Sequence, residues 1–185
     1  MHTNRNNRRF GISAAACVLL ALAVLVLPIR WLLAAMTAAV CHELFHIAAV
    51  YLCGGSISGL IIGGNGAVMD AQPMSKGREL ICSLAGPVGG LLLLLFVRWI
   101  PRIAICAAFH SLYNLLPIYP LDGGRALRCA AELVLPLKAD FICKWIETGF
   151  LLLMGILAVY ACVFLRLGLF PVFLAAMLYL KVRRA

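Results

Sequence analysis

Long apolar runs broken by short polar stretches dominate the chain, longer than the buried stripe of an ordinary globular helix. A helix needs about 20 apolar residues to cross the hydrocarbon of a bilayer. Six stretches approach that length: Gly11 to Ile29, Trp31 to Cys53, Glu79 to Ile100, Ile103 to Leu121, Phe141 to Leu165, and a shorter Leu167 to Leu180. The pattern predicts an all-α polytopic membrane protein with about six transmembrane helices. Between the second and third stretches the pattern changes. Ser56 to Ile62 is loosely strand-like, and Gly63-Gly64-Asn65-Gly66 is turn chemistry. A short Gly-rich hairpin or re-entrant segment fits these residues, and so does a plain cytoplasmic loop. Backbone at membrane depth is tolerated only where protein or a water-filled cavity receives it.

Composition strengthens this reading. Of 185 residues, 64% are hydrophobic and 12% charged, and the mean hydropathy is +1.03. A soluble domain is about half apolar and about a quarter charged, so a soluble globular fold is excluded. Disorder is excluded for the opposite reason, since such segments are poor in apolar residues. The length suits one integral-membrane domain, 1–185, with no room for a PDZ domain. Eight cysteines are scattered through the apolar stretches with no C-x-x-C pair, and read as small hydrophobes.

The net charge of +9 comes from 16 basic and 7 acidic residues. The basic groups fall between apolar runs, and no nucleic-acid-binding signature accompanies them. With the N-terminus inside, twelve of the 16 face the cytoplasm, and only Arg30, Arg98, Arg102 and Arg166 face the other side. The positive-inside rule supports that orientation, with both termini cytoplasmic in a multi-pass protein of the cell membrane. Arg5, Arg8 and Arg9 before an apolar run resemble a signal peptide. Pro28, Ile29, Arg30 and Trp31 follow the run instead of a small-residue cleavage site, which makes it a retained span.

Ionisable groups within such spans are costly and mark function by default. The second span contains His42-Glu43-Leu44-Phe45-His46, the H-E-x-x-H pattern. At about 100° per residue, His42 and His46 lie about 40° apart and one turn above each other. Their imidazoles can share one metal ion, and Glu43 can reach a water on it. Two histidines and a carboxylate suit zinc and leave a fourth tetrahedral position for water. The plainer reading is polar residues that bridge helices by hydrogen bonds. It must account for two histidines and a glutamate at this spacing in a chain with 4 histidines. The third ligand candidate is Asp122, after Pro117 and Pro120, which break the fourth helix. An unwound helix end can aim Asp122 sideways; the Asp-Gly-Gly sequence is also an ordinary turn.

Here the motifs resemble a family. H-E-L-F-H in one span and Asn114-Leu115-Leu116-Pro117-Ile118-Tyr119-Pro120-Leu121-Asp122-Gly123-Gly124-Arg125 in a later one look like the site-2 protease family of intramembrane zinc metalloproteases. Ser83-Leu84-Ala85-Gly86-Pro87 resembles its A-G-P segment, and Gly54-Gly55 and Gly63-Gly64 its Gly-rich membrane-embedded hairpin. The resemblance covers roughly Val40 to Arg128, and the six-span plan is most similar to the sporulation branch. That branch releases a membrane-tethered sigma-factor precursor. A cystathionine-β-synthase-like domain found on many such members is not expected here.

The resemblance implies one zinc ion on His42, His46 and Asp122, with Glu43 as catalytic acid/base. It also implies Asn114, Pro117, Gly63 and Gly64 as substrate-binding residues. The expected activity is hydrolysis of a peptide bond in or near a transmembrane segment of a membrane-tethered substrate. The expected partners are that substrate, the lipid bilayer and a separate membrane regulatory protein, with no nucleic acid. A transmembrane substrate must unwind, and a strand at Ser56 to Ile62 is expected to pair with it by edge addition. The other readings are a catalytically inactive scaffold, which loss of a ligand or of Glu43 would signal, and a metal transporter. A transporter needs no glutamate after the first histidine and usually shows repeated halves. Of the remaining polar groups, His110 lies one turn before Asn114 and lines the site or meets a neighbouring helix. Glu147 reads as a snorkelling or paired group. Gly86, Gly89 and Gly90 read as close-packing positions.

Overall fold

Pro28 stands immediately before the longest uninterrupted apolar helix of the first half of the chain, where its missing N–H costs nothing. The computed structural model describes residues 9–12, 14–63, 66–72, 74–166 and 168–183. By internal contacts it divides into two units, Met1–Leu112 and Tyr113–Ala185.

In the first unit, β1 (Arg9–Ile12) precedes α1 (Ala14–Val26) and α2 (Ile29–Leu52). Neither helix contains glycine or proline, so nothing interrupts the 24 residues of α2. Its end is built by Gly54 and Gly55. Gly54 takes the left-handed φ of 75°. Its N–H bonds to the Tyr51 carbonyl at 3.0 Å, and the Gly55 N–H bonds to the Val50 carbonyl at 2.8 Å. This paired closure satisfies carbonyls the helix would otherwise leave open.

The chain then forms β2 (Ile57–Gly63) and β3 (Gly66–Ala71), paired antiparallel, while β1 runs parallel to β2 on its other side. The sheet order is β1-β2-β3. Next come α3 (Lys76–Leu92), a 3₁₀ turn at Leu93–Phe96, and α4 (Pro101–Asn114), whose last two residues fall in the second unit. Ala49 and Val50 of α2 pack on Cys82 of α3, with Ile57 and Met74 against them.

The second unit holds α5 (Asp122–Val134), α6 (Ala139–Val163) and α7 (Phe170–Arg183). Ile118 and Leu121 are buried with Leu178 of α7, and Phe150 and Leu151 of α6 pack on them. Along α6, Leu152, Ile156, Val159 and Val163 are exposed. That continuous outward face is made for hydrocarbon rather than water.

Among the described residues, three helical stretches are long and apolar enough to cross a membrane: Ile29–Leu52, Lys76–Phe96 and Ala139–Val163. The chain is a membrane protein by these stretches. The expectation of six spans meets shorter helices at the other three places: α1 has 13 residues, and α4 and α7 have 14 each. At 1.5 Å per residue these reach about 20 Å, short of a hydrocarbon core about 30 Å thick. The fourth stretch is cut at Asn114, because Pro117 and Pro120 lack the N–H that helix continuation needs.

The chain is mostly helical, and two features depart from the expected elements. A three-stranded sheet is present, and its first strand takes Arg9–Ile12, overlapping the start of the expected first span. α5 is a helix where the sequence reading placed only a turn and a connection between spans. The expected role of Ser56 to Ile62 as a pairing edge is also corrected: β2 lies in the middle of the sheet with a strand on each side.

Candidate metal centre

α2 carries His42, Glu43 and His46, and its 3.6-residue turn places the two imidazoles on one face. Both histidines are buried, at 2% and 7% exposure. Their Nε2 atoms lie 3.1 Å apart. The His46 Nδ1–H donates to the Cys82 carbonyl of α3 at 2.7 Å. This hydrogen bond fixes the tautomer and leaves the Nε2 lone pair turned toward His42, the outer support typical of metal-ligating histidines. Glu43 is half-buried on the same helix, about 100° around from His42.

The supports of this pair are side-chain-free positions on α3. A Cβ at Gly86 would run into the His46 imidazole, and one at Gly89 into the Phe45 ring. Glycine at these places is a condition for α2 and α3 to meet closely enough for the bond to Cys82. His110 of α4 adds a third imidazole. Its ring meets that of His42 edge-on, with centroids 4.6 Å apart and planes at 86°. His42 thus has an imidazole on each side, since its centroid lies 4.8 Å from that of His46.

A zinc ion fits the pair. Two Nε2 atoms 3.1 Å apart could both come within the about 2.0–2.1 Å of a Zn–N bond to one ion. Two imidazoles with an adjacent glutamate can bind a divalent ion and deprotonate a water beside it.

In the second unit, Asp122 is the first residue of α5, half-buried, where the positive end of the helix dipole favours its charge. The segment before it is not helical, and α5 begins tightly against it. A Cβ at Gly123 would strike the Leu115 carbonyl, and one at Gly124 the backbone of Ile118 and Tyr119. The Tyr119 N–H donates to Glu147 Oε1 of α6 at 3.0 Å, and Arg128 lies over the Tyr119 ring, 5.4 Å from its centroid.

The structure thus joins His42 to His46 and places Glu43 beside them. Asn114 closes α4, Pro117 lies in the non-helical segment, and Gly63 ends β2. Gly64 lies outside the described residues. Sequence reasoning missed the Cys82 carbonyl, a main-chain group with no residue-type signal. It left His110 open between two roles, and its spacing one turn before Asn114 was the available clue.

No model of a protein family matches the chain, and no curated protein matches it either. Among solved structures, however, the fold recurs in a protease. The chain is similar to the site-2 protease from Methanocaldococcus jannaschii, with a TM-score of 0.66 and 19% identity, over 100% of this chain and 93% of that one. The two share a fold.

Proposed function

We propose that the chain is a membrane-embedded zinc metalloendopeptidase, and that His42, His46 and Asp122 together hold one ion. The observation that carries this reading is the convergence of the two Nε2 atoms at 3.1 Å, with the other nitrogen of His46 committed to the Cys82 carbonyl. Glu43 follows the first histidine at the position from which a carboxylate reaches a water on the metal. The likeness in fold to a site-2 protease supports the same class.

When bound, zinc supplies a Lewis acid for the scissile carbonyl and lowers the pKa of its water toward about 7. The chain's own residues do the rest. His42 and His46 present neutral Nε2 lone pairs, the second held in place by its bond to α3. Glu43 accepts the proton of the attacking water on a carboxylate oxygen as the water oxygen bonds to the carbonyl carbon. It then passes that proton to the departing amide nitrogen as the C–N bond breaks. Asn114 donates its side-chain amide to the substrate backbone, and Pro117, Gly63 and Gly64 shape the path of that backbone.

A substrate segment unwound from its own helix needs partners for its N–H and C=O groups. Because β2 is flanked on both sides, the strand that receives it is β3, whose outer edge pairs with no strand among the described residues. The substrate is a membrane-tethered protein in the lipid bilayer, presented by a separate membrane regulatory protein. The active-site mouth and both termini face the cytoplasm. The six-span plan with a cytoplasm-facing site that the sequence suggests is most similar to the sporulation branch, which makes a tethered sigma-factor precursor the first substrate to try.

The test is Glu43→Gln in the full chain, assayed with a membrane-tethered reporter and by metal analysis. Zinc content is expected to stay at the parent level while cleavage is lost. A Glu43→Gln protein that cleaves as fast as the parent overturns the reading.

A further inference from the structure

We infer that Glu147 is a positioning residue for Asp122: its carboxylate holds the turn that presents the aspartate. This rests on the reading of Asp122 as a metal ligand.

Glu147 lies in α6, the 25-residue helix long and apolar enough to cross a membrane. An ionisable side chain in such a helix is expensive and needs a partner that offsets its desolvation. Its partner is a main-chain group. Oε1 accepts the Tyr119 N–H at 3.0 Å, three residues before Asp122.

The hydrogen bonds of the segment between α4 and α5 show why that bond matters. A non-helical stretch within an apolar unit must find partners for its backbone groups. The Leu116 N–H bonds to Tyr113 O at 3.3 Å, Ile118 N–H to Leu116 O at 2.7 Å, and Leu121 N–H to Ile118 O at 2.9 Å. Pro117 and Pro120 have no N–H to place. From Leu116 to Leu121 that leaves Tyr119, whose N–H goes outward to Glu147.

The segment is pinned on two other sides. Ile118 and Leu121 are sealed in the apolar cluster at 0% and 2% exposure. The backbones of Gly123 and Gly124 lie against Leu115 and against Ile118 and Tyr119. Glu147 is the polar tie of this clamp, and the direction of the Asp122 carboxylate depends on the clamp. The task requires an acceptor oxygen at that reach, and a glutamine supplies one as well as a glutamate does.

The experiment is a Co(II) titration of the purified full chain in detergent, followed by visible absorption. It compares the parent with Glu147→Gln, Glu147→Leu and Glu147→Asp, with Asp122→Ala as reference. Glu147→Leu is expected to weaken Co(II) binding about 10–100-fold, the usual effect of removing an outer support, and to alter the ligand-field bands. Glu147→Gln is expected to keep the parent spectrum and bind within about threefold of the parent, since only the charge assistance is lost. Glu147→Asp keeps the charge but withdraws the oxygen by one methylene, and is expected to resemble Glu147→Leu. It also serves if the leucine variant does not fold.

Parent-like binding by Glu147→Leu or Glu147→Asp overturns the positioning role. So does a Glu147→Gln protein that falls as far as Glu147→Leu, because then the charge and not the acceptor is needed. A parent that gives no Co(II) spectrum, or an Asp122→Ala protein that binds as the parent does, instead sinks the metal assignment itself.

Discussion

The two regions that carry the candidate ligands are built on different principles. In the first unit the imidazoles sit in the middle of a 24-residue helix. Helix periodicity alone brings His42 and His46 onto one face, and the neighbouring helix contributes a carbonyl and an absence of side chains. In the second unit the carboxylate sits where a helix begins, after a stretch from which prolines exclude helix. Backbone packs on backbone around it, and a glutamate of α6 accepts the Tyr119 N–H three residues earlier. A continuous helix makes ligand spacing a local property. A broken one makes ligand direction a property of tertiary packing.

The largest effect expected separates chemistry from both kinds of support. Glu43→Gln removes the proton acceptor and leaves each scaffold intact. Turnover of a membrane-tethered reporter should fall by at least the 10²–10⁴-fold typical of a general base, with zinc content unchanged.

The next substitutions press on the two supports directly. Gly86→Ala pushes a methyl against the His46 ring, and should cost about 1–3 kcal/mol of stability as core overpacking does. Gly124→Ala pushes a methyl against the backbone of Ile118 and Tyr119. Backbone gives less readily than a ring, so its cost should reach or exceed the upper end of that range, about 3 kcal/mol. Thermal unfolding in micelles measures both. A lower melting temperature for Gly86→Ala than for Gly124→Ala would contradict the contrast between the regions.

Smaller still is the expected effect of proline along β3. Scanned over Ala67, Val68, Met69 and Asp70, it should slow cleavage about tenfold at the positions whose N–H faces the outer edge, the loss of roughly one hydrogen bond. Zinc content should not move. Equal turnover at all four positions removes β3 as the receiving strand.

The smallest effect belongs to the exposed end of the second unit. Arg128 and Asp140 approach to 3.9 Å with side chains 39% and 79% exposed. Asp140→Asn should therefore change stability by no more than about 1 kcal/mol, and less in high salt.

What was legible in the sequence follows the same division. The H-E-x-x-H face was readable because 3.6 residues per turn is a property of the chain itself. The break after Asn114 was readable because proline carries its own backbone rule. The cap of α2 at Gly54 and Gly55 was not readable as a cap, because the same glycines resemble part of a Gly-rich hairpin. The strand β1 was hidden because Arg9–Ile12 has no partner until β2 exists, and so an apolar start looked like a span. Helix α5 was hidden because Gly123 and Gly124 argue for a turn; tight packing on Leu115 and Ile118 outweighs their helix penalty, about 1 kcal/mol each. The carbonyl of Cys82 and the tie from Glu147 to Tyr119 are tertiary contacts, and no local pattern announces them.

The most direct measurement of the central claim is zinc stoichiometry and affinity in Asp122→Ala beside the parent and His46→Ala. One zinc per chain is expected in the parent, with both variants weakened by more than the 10–100-fold typical of an outer-shell change. An Asp122→Ala protein that holds zinc as tightly as the parent, while His46→Ala does not, would contradict a shared site of two imidazoles and this aspartate.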